Sequence, residues 1–351
     1  MKSLLRIDGR LIGTGQRTMV IAEIGVNHDG KVERAIELVQ HAAGAGADAV
    51  KLQIFQAARL VHPTSGFAQY QKSRVSESSP AAMLRKYELS PDELRRVIDA
   101  IVDLNLTPLA TPFSPEDVDV IESLNLPAIK IASPDLVNQV LLARAAAAKG
   151  RPLIVSTGAA TMAEVEQAVS WLQQWRAEFV LMHCVSSYPT PADQAHLCWI
   201  GELANFGVPV GYSDHTTDLF AGAFAVSVGA CIVEKHLTYD RTAKGPDHSS
   251  SADPAEFAEY VRLIRSAEAL MGSGEKHVLP VERDVRAQSR QSLVLARDLE
   301  VGDVIRMSDL TVQRPGTGIA PAEVAAAAGR AAKMPLRKGT MLQWDMLTDA
   351  A

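Results

Sequence analysis

The sequence predicts a (β/α)8 barrel followed by a small, mostly β domain. Eight short runs rich in Val, Ile and Leu alternate with helical patterns, the runs end in polar residues, and the alternation stops near residue 275. Strand-helix alternation implies parallel strands joined by crossovers. Eight such units in about 250 residues is the count and size of a closed barrel, with an open doubly wound sheet as the rival arrangement.

In order, the runs are "MVIAEIG", "DAVKLQIF", "TPLATPF", "AIKIAS", "PLIVST", "FVLMHCVSS", "VPVGYSD" and "CIVEKHLT". Between them lie helical patterns such as "KVERAIELVQHAAGAG", "SPDELRRVIDAIVDLN", "TMAEVEQAVSWLQQW" and "DPAEFAEYVRLIRSAEALMG". Several open on a Ser, Thr or Asp cap or an early proline and close on glycine, as helix ends should. The expected barrel domain spans 1–275, and a polar linker, 276–290, follows it. Residues 291–351 have short strands and glycine turns in "EVGD", "RPGTG" and "RKGT", which reads as a small β domain.

Composition narrows the partners. The 351 residues are 47% hydrophobic and 22% charged, which is ample for a sizeable core. A net charge of -6, with no block of Lys and Arg, gives nothing to neutralise a phosphodiester backbone, so no nucleic-acid partner is expected. The start, "MKSLLRIDGRLIGTGQ", lacks an apolar signal core, and no run reaches the about 18 apolar residues of a membrane span. A cytoplasmic protein without a membrane partner is expected. Cys184, Cys198 and Cys231 are odd in number and widely spaced, so reduced thiols are expected.

Chemistry on this fold sits at the C-terminal ends of the strands. Side chains alternate faces along a strand, so Glu234 and His236 share one face and Lys235 takes the other. Ser213 and His215 share a face one strand earlier, which places two histidines on adjacent strand ends, able to hold one metal ion. The remaining strands end in Glu23 and Asn27, Lys51 and Gln53, Thr111, Lys130 and Ser133, Ser156, and Ser186 with Tyr188. One strand-end histidine or lysine is ordinarily structural. Lysines, glutamine and hydroxyls converging from so many strands fit an anion in the mouth, because burying them unpaired is costly.

With these residues in view, the chain resembles the N-acetylneuraminate (sialic acid) synthase family, which includes legionaminic and pseudaminic acid synthases. The matching fragments run in order along nearly the whole chain: "AEIGVNHDG", "GADAVKLQIF", "AQYQ" followed by "MLRKYELS", "ATPFS", "KIAS", "IVSTG", "HCVSSYPTP", "GYSDHT", "EKHLTYDR", "GPDHSSSADP", and "SLVLARDLEVGDVI" with "RPGTGI". The tail is similar to the antifreeze-like SAF domain that closes these synthases.

The resemblance implies a phosphoenolpyruvate-dependent transferase that condenses this substrate with an N-acetylated mannose-type sugar. His215 and His236 would hold one divalent cation, manganese or magnesium. Lys51, Thr111, Lys130, Ser133, Ser156, Ser186 and Ser213 would bind phosphoenolpyruvate, while Gln53, Tyr188, Glu234 and Asp247 would face the sugar. Glu23 would orient water or a sugar hydroxyl. Arg314 would reach the N-acetyl region from the partner subunit of a domain-swapped homodimer.

Asp135, Ser186 and Lys244 depart from the best-known sialic acid synthase pattern, and these sites border the substrate. The acceptor therefore stays open among N-acetylmannosamine, the diacetamido-trideoxy sugars of bacterial relatives and the 6-phosphorylated sugar of animal relatives. A metal-independent Schiff-base aldolase using Lys51 or Lys130, and a non-catalytic sugar-binding protein, are the competing readings.

Overall fold

A computed structural model describes residues 4–62, 64–66 and 79–348; the "AQYQ" motif at 68–71 lies outside the described residues. The chain divides into two compact units, Met1–Gly272 and Ser273–Ala351. Among the described residues no helix is long and apolar enough to cross a membrane.

The first unit opens with an antiparallel hairpin, β1 (Leu4–Ile7) and β2 (Arg10–Gly13). Eight parallel strands follow: β3 (Met19–Glu23), β4 (Ala49–Ile54), β5 (Thr107–Pro112), β6 (Ile129–Ile131), β7 (Leu153–Ser156), β8 (Phe179–Cys184), β9 (Val210–Asp214) and β10 (Ile232–His236). They form a closed barrel in which β10 returns to pair with β3, Ile232 opposite Met19 and His236 opposite Glu23. Each of the eight apolar runs has become one barrel strand.

The helices form where the sequence supplies their ends. Pro91–Asp103 begins with Ser90 accepting from the Glu93 amide while the Glu93 carboxylate accepts from the Ser90 amide. Thr161 with Glu164, and Asp253 with Glu256, repeat this reciprocal cap, which satisfies amides that have no partner inside a helix. In Val32–Gly44 the buried residues Val32, Ala35, Leu38, Val39 and Ala42 recur at helical spacing, so one stripe faces the sheet.

The barrel has two cores because each strand has two faces. Outward residues such as Val20, Ala22, Val50 and Leu52 pack under the helices. Inward residues Met19, Ile21, Ala49, Leu109, Ile154, Val180, Met182 and Ile232 form a second cluster, which Leu5, Ile7 and Ile12 of the hairpin complete. The hairpin therefore helps fill the N-terminal end of the barrel. It turns at Asp8 and Gly9, both with positive φ, as a tight two-residue turn requires.

In the second unit β11 (Ser292–Leu295) pairs antiparallel with β12 (Leu310–Gln313) beside a small core of Leu293, Leu295, Leu299, Ile305, Ile319 and Leu342. The stretch expected to be a linker contains a short helix, Arg283–Ser289.

Lys235 points to the outer side of the barrel, opposite Glu234 and His236. Its ammonium donates to Asp214 Oδ2 at 2.8 Å and to the Thr216 carbonyl at 2.8 Å. Asp214 also accepts from the Tyr260 and Tyr212 hydroxyls at 2.9 and 3.1 Å and from the Thr216 amide at 2.8 Å. Removing one partner of a buried, fully hydrogen-bonded ion pair strands the other charge. Asp214→Ala is therefore expected to lower stability by about 3–5 kcal/mol. Urea unfolding checks this, and a midpoint equal to that of the parent chain would contradict it.

Candidate active site

Two residues past the apolar inner layer, strand after strand exchanges its inward side chain for a polar one. Ile21 is followed by Glu23, Ala49 by Lys51, Leu109 by Thr111, Ala128 by Lys130, Ile154 by Ser156, Met182 by Cys184, and Ile232 by Glu234. On β9 the inward partner of Ser213 is Gly211, where an added Cβ would run into Met182 and Ile232. All these polar side chains are buried in one layer.

Glu234 is the centre of that layer. Its Oε1 accepts from Ser213 Oγ at 3.2 Å, and its two oxygens lie 3.6 Å from Lys51 Nζ and 3.7 Å from Lys130 Nζ. Lys51 also pairs with Glu23 and donates to Thr111 Oγ1 at 2.8 Å. Lys130 donates to Ser156 Oγ at 2.7 Å and to the Ile131 carbonyl at 3.3 Å. Gln53 Nε2 donates to Glu23 Oε1 at 3.3 Å. Among the described residues, Glu234 Oε2 is buried without a hydrogen-bond partner. That costs about 1–3 kcal/mol and marks a place for a ligand donor.

Burial would raise the Glu234 carboxyl, but Lys130 and Lys51 outweigh it and hold the group below its ordinary range. Burial raises Glu23 above the usual carboxylate value despite Lys51 beside it. Lys51 suffers the same burial, yet Glu23 and Glu234 more than offset it and its pKa rises. Lys130 lies deeper in the balance, and burial takes it below the ordinary lysine value. Two ammonium groups thus face two carboxylates, one of which holds its proton more tightly than usual. The layer leans toward receiving an anion.

The histidines stand above it on neighbouring strand ends, with ring centroids 5.5 Å apart. His215 Nδ1 lies 2.8 Å from the Val185 carbonyl, which can only accept, so this nitrogen carries a proton and Nε2 is the one turned to a ligand. His236 Nδ1 lies 3.7 Å from Asp247 Oδ2. Burial, followed by His215 and Lys51, pushes the His236 pKa well below the imidazole value, so its ring is neutral. His215 is shifted the other way: burial lowers its pKa, but Cys184 and the Val185 carbonyl more than offset this and raise it above the imidazole value. Two imidazoles on one cavity wall suit a divalent cation that leaves most of its coordination positions for small molecules. Among the described residues no group of three or more His, Cys, Asp or Glu could hold a metal.

Lys51, Gln53, Thr111, Lys130, Ser133, Ser156, Tyr188, Ser213, His215, Glu234, His236 and Asp247 all line one cavity of about 460 Å³. Glu23 lies beneath them, fully buried against Lys51. The Ser186 hydroxyl sits with the Ser133 hydroxyl and the Cys184 thiol around Gly158, where a Cβ would collide with them, and the Gly158 amide donates to Ser133 Oγ at 3.0 Å. Arg314 is an exposed residue of the second unit. Cys184 lines the cavity without having been singled out in the sequence, although the period of two from Met182 points to it. Apolar residues Phe55, Leu60, Val61, Met83, Leu84 and Phe113 form a further part of the lining.

Known proteins share this architecture and its sequence. Over 340 residues, covering 95% of both chains, the protein is 40% identical to the N,N'-diacetyllegionaminic acid synthase of Legionella pneumophila. It is 35% identical to the N,N'-diacetyllegionaminic acid synthase of Campylobacter jejuni, over 87% of this chain and 92% of the other. The crystal structure of an N-acetylneuraminic acid (sialic acid) synthetase from Leptospira borgpetersenii, in complex with citrate, superposes with a TM-score of 0.73 at 30% identity, covering 81% of this chain and 95% of that one. Residues 290–348 match the SAF domain. Residues 38–276 match the NeuB family, and the chain belongs to that family.

Proposed function

We propose that the protein is a nonulosonic acid synthase: it condenses phosphoenolpyruvate with an N-acetylated mannose-type sugar and water, and releases inorganic phosphate. The observation that carries this reading is the polar layer itself, two buried lysines and a ring of hydroxyls directly beside two imidazoles on adjacent strand ends. Lys51, Lys130, Thr111, Ser133, Ser156, Ser186 and Ser213 receive the phosphate and carboxylate of phosphoenolpyruvate. His215 and His236 would hold a manganese or magnesium ion, which supplies Lewis-acid polarisation of the sugar aldehyde.

Held in this way, the enol carbon attacks the aldehyde carbon, forming the new C–C bond while the aldehyde oxygen takes a proton. Lys51 and Lys130 keep the phosphate fixed while positive charge develops at the former enol carbon. Water orientated by Glu23 adds there and releases a proton. The resulting tetrahedral centre collapses with C–O cleavage to a 2-keto acid and phosphate. The protein's share is positioning and preorganised charge. Glu234, whose Oε2 accepts no hydrogen bond, Gln53, Tyr188 and Asp247 meet the sugar hydroxyls.

The acceptor that suits the cavity is a 2,4-diacetamido-trideoxy hexose, ahead of N-acetylmannosamine. Its methyl groups match the wall of Phe55, Leu60, Val61, Met83, Leu84 and Phe113, and the Legionella relative is named for a diacetylated product. Among the described lining residues the cations are Lys51 and Lys130, both within the anion layer, and Lys244 is exposed and outside the lining. Arg314 acts on the acetamido end of the acceptor bound by a second subunit of a domain-swapped homodimer.

Phosphate release that depends on phosphoenolpyruvate, screened against N-acetylmannosamine, its 6-phosphate and two diacetamido-trideoxy sugars, tests the function; release with none of the four overturns it. His215→Ala and His236→Ala are expected to lose about 10²–10⁴-fold in turnover with manganese present. Because burial lowers the Lys130 pKa, its ammonium is lost before that of an ordinary lysine as pH rises. The kcat/KM for phosphoenolpyruvate should therefore fall on the alkaline side earlier than lysine's usual value, and a profile flat through that value would remove Lys130 from the anion site. Mixing inactive Arg314→Ala chains with inactive His236→Ala chains should restore about a quarter of the parent activity, since half of randomly paired dimers carry one intact site. No recovery on mixing would show that Arg314 serves its own subunit.

A further inference from the structure

Asp247 lies on the loop after β10, where regular structure is limited to a single short turn, His248–Ser250. Such a loop does not hold a carboxylate still by itself, yet two buried polar clamps close on this one. The Asn27 side chain donates to the Leu237 carbonyl at 2.9 Å and to Ser251 Oγ at 2.8 Å, and Ser251 Oγ donates to the Asp247 carbonyl at 2.8 Å. On the other side, His248 is fully buried with both ring nitrogens engaged: Nδ1 lies 2.7 Å from Thr238 Oγ1 and Nε2 3.1 Å from Asp29 Oδ1. Asp29 also accepts from the Tyr239 hydroxyl at 2.7 Å. Gly245 passes so close to the His248 ring that a Cβ there would collide with it.

Asp247 is therefore fixed at its own carbonyl and through the side chain of its neighbour, both from the β3 loop, residues 27–29. Its carboxylate lies 3.7 Å from His236 Nδ1. A carboxylate behind an imidazole orients the ring and makes the opposite nitrogen a better ligand. Buried hydrogen-bonded networks resist displacement, because breaking one bond leaves polar groups without water; here both Asn27 amide hydrogens are used, while its Oδ1 is buried without a partner among the described residues.

We propose that His248 and Asn27 are positioning residues that hold Asp247 against His236, so that the ring presents its other nitrogen to a divalent cation in the barrel mouth. This rests on the metal site of the function proposed above. Neither residue lines the cavity.

Manganese alone, titrated into the full-length protein by calorimetry or electron paramagnetic resonance, is the direct probe. His248→Gln and Asn27→Ala should each weaken manganese binding by about 10–100-fold. Phosphoenolpyruvate affinity, measured in chelator, should stay unchanged in both. Should His248→Gln fail to fold, Asn27→Ala decides. Unchanged manganese binding in the folded variants overturns the proposal, as does an equal loss of phosphoenolpyruvate affinity, which would mean a generally loosened mouth. His215→Ala separates the two levels. If it loses manganese while the loop variants keep it, only the positioning role fails; if it binds manganese like the parent chain, the metal reading fails and takes this proposal with it.

Discussion

Closure of the parallel ladder is the constraint on which the rest depends. Once β10 pairs with β3, no strand can slip by one residue without turning its whole inner set outward. The inner faces can therefore change character sharply, from Met19, Ile21, Ala49, Leu109 and Ile154 to Glu23, Lys51, Thr111 and Ser156, within a single repeat of two. An open sheet would allow water or a shifted register to relax so abrupt a boundary. Here the apolar layer below, sealed in part by Leu5, Ile7 and Ile12, forms the floor on which the polar layer rests.

That floor sets the electrostatics. Four ionisable groups, Glu23, Lys51, Lys130 and Glu234, are buried side by side, an arrangement that replacement by apolar residues would often stabilise. Their value is in readiness for charge. Lys51 is tied to both carboxylates and to Thr111, whereas Lys130 reaches Glu234 only at 3.7 Å and relies on Ser156 and a carbonyl. Lys130 is consequently the cation with most to gain from an arriving anion. Glu23, whose carboxyl burial raises above the ordinary value, is the ion-pair partner of Lys51. Folding stability is given up in the mouth so that little reorganises when the substrate enters.

Much of this was legible in the sequence, and the remainder was hidden for identifiable reasons. The eight barrel strands stood out because each joins an apolar run to a polar end, and the period of two told which ends share a face. The hairpin at the start has a sequence signal of its own: Asp8-Gly9 between "LRI" and "RLI" is a tight-turn pair. Cys184 was equally accessible by counting two from Met182. The pairings of Asn27 with Ser251 and of Asp29 with Tyr239 and His248 were not, because they join residues more than 200 apart in the chain and no periodicity links one loop to another. For Lys235 the outward face followed from the pleat, but the Asp214 and Tyr260 beneath it depend on which strand and helix become neighbours.

The stretch Glu234-Lys235-His236 gathers these threads into one division of labour. Glu234 faces inward and sets the lysines; His236 faces inward one level higher and meets Asp247. Between them Lys235 faces outward and binds Asp214, the residue immediately before His215. The two strand ends that bear the histidines are thereby tied behind the barrel wall, while the rings themselves are held in front, by the Val185 carbonyl for His215 and by the Asp247 carboxylate for His236. A run of Val and Ile at these three positions would remove this side-chain tie and leave the backbone pairing of β10 with β9 to hold the two strand ends alone. In the proposed metal site two side chains would set the geometry by their mutual spacing, so rigidity behind the wall would serve the chemistry in front of it.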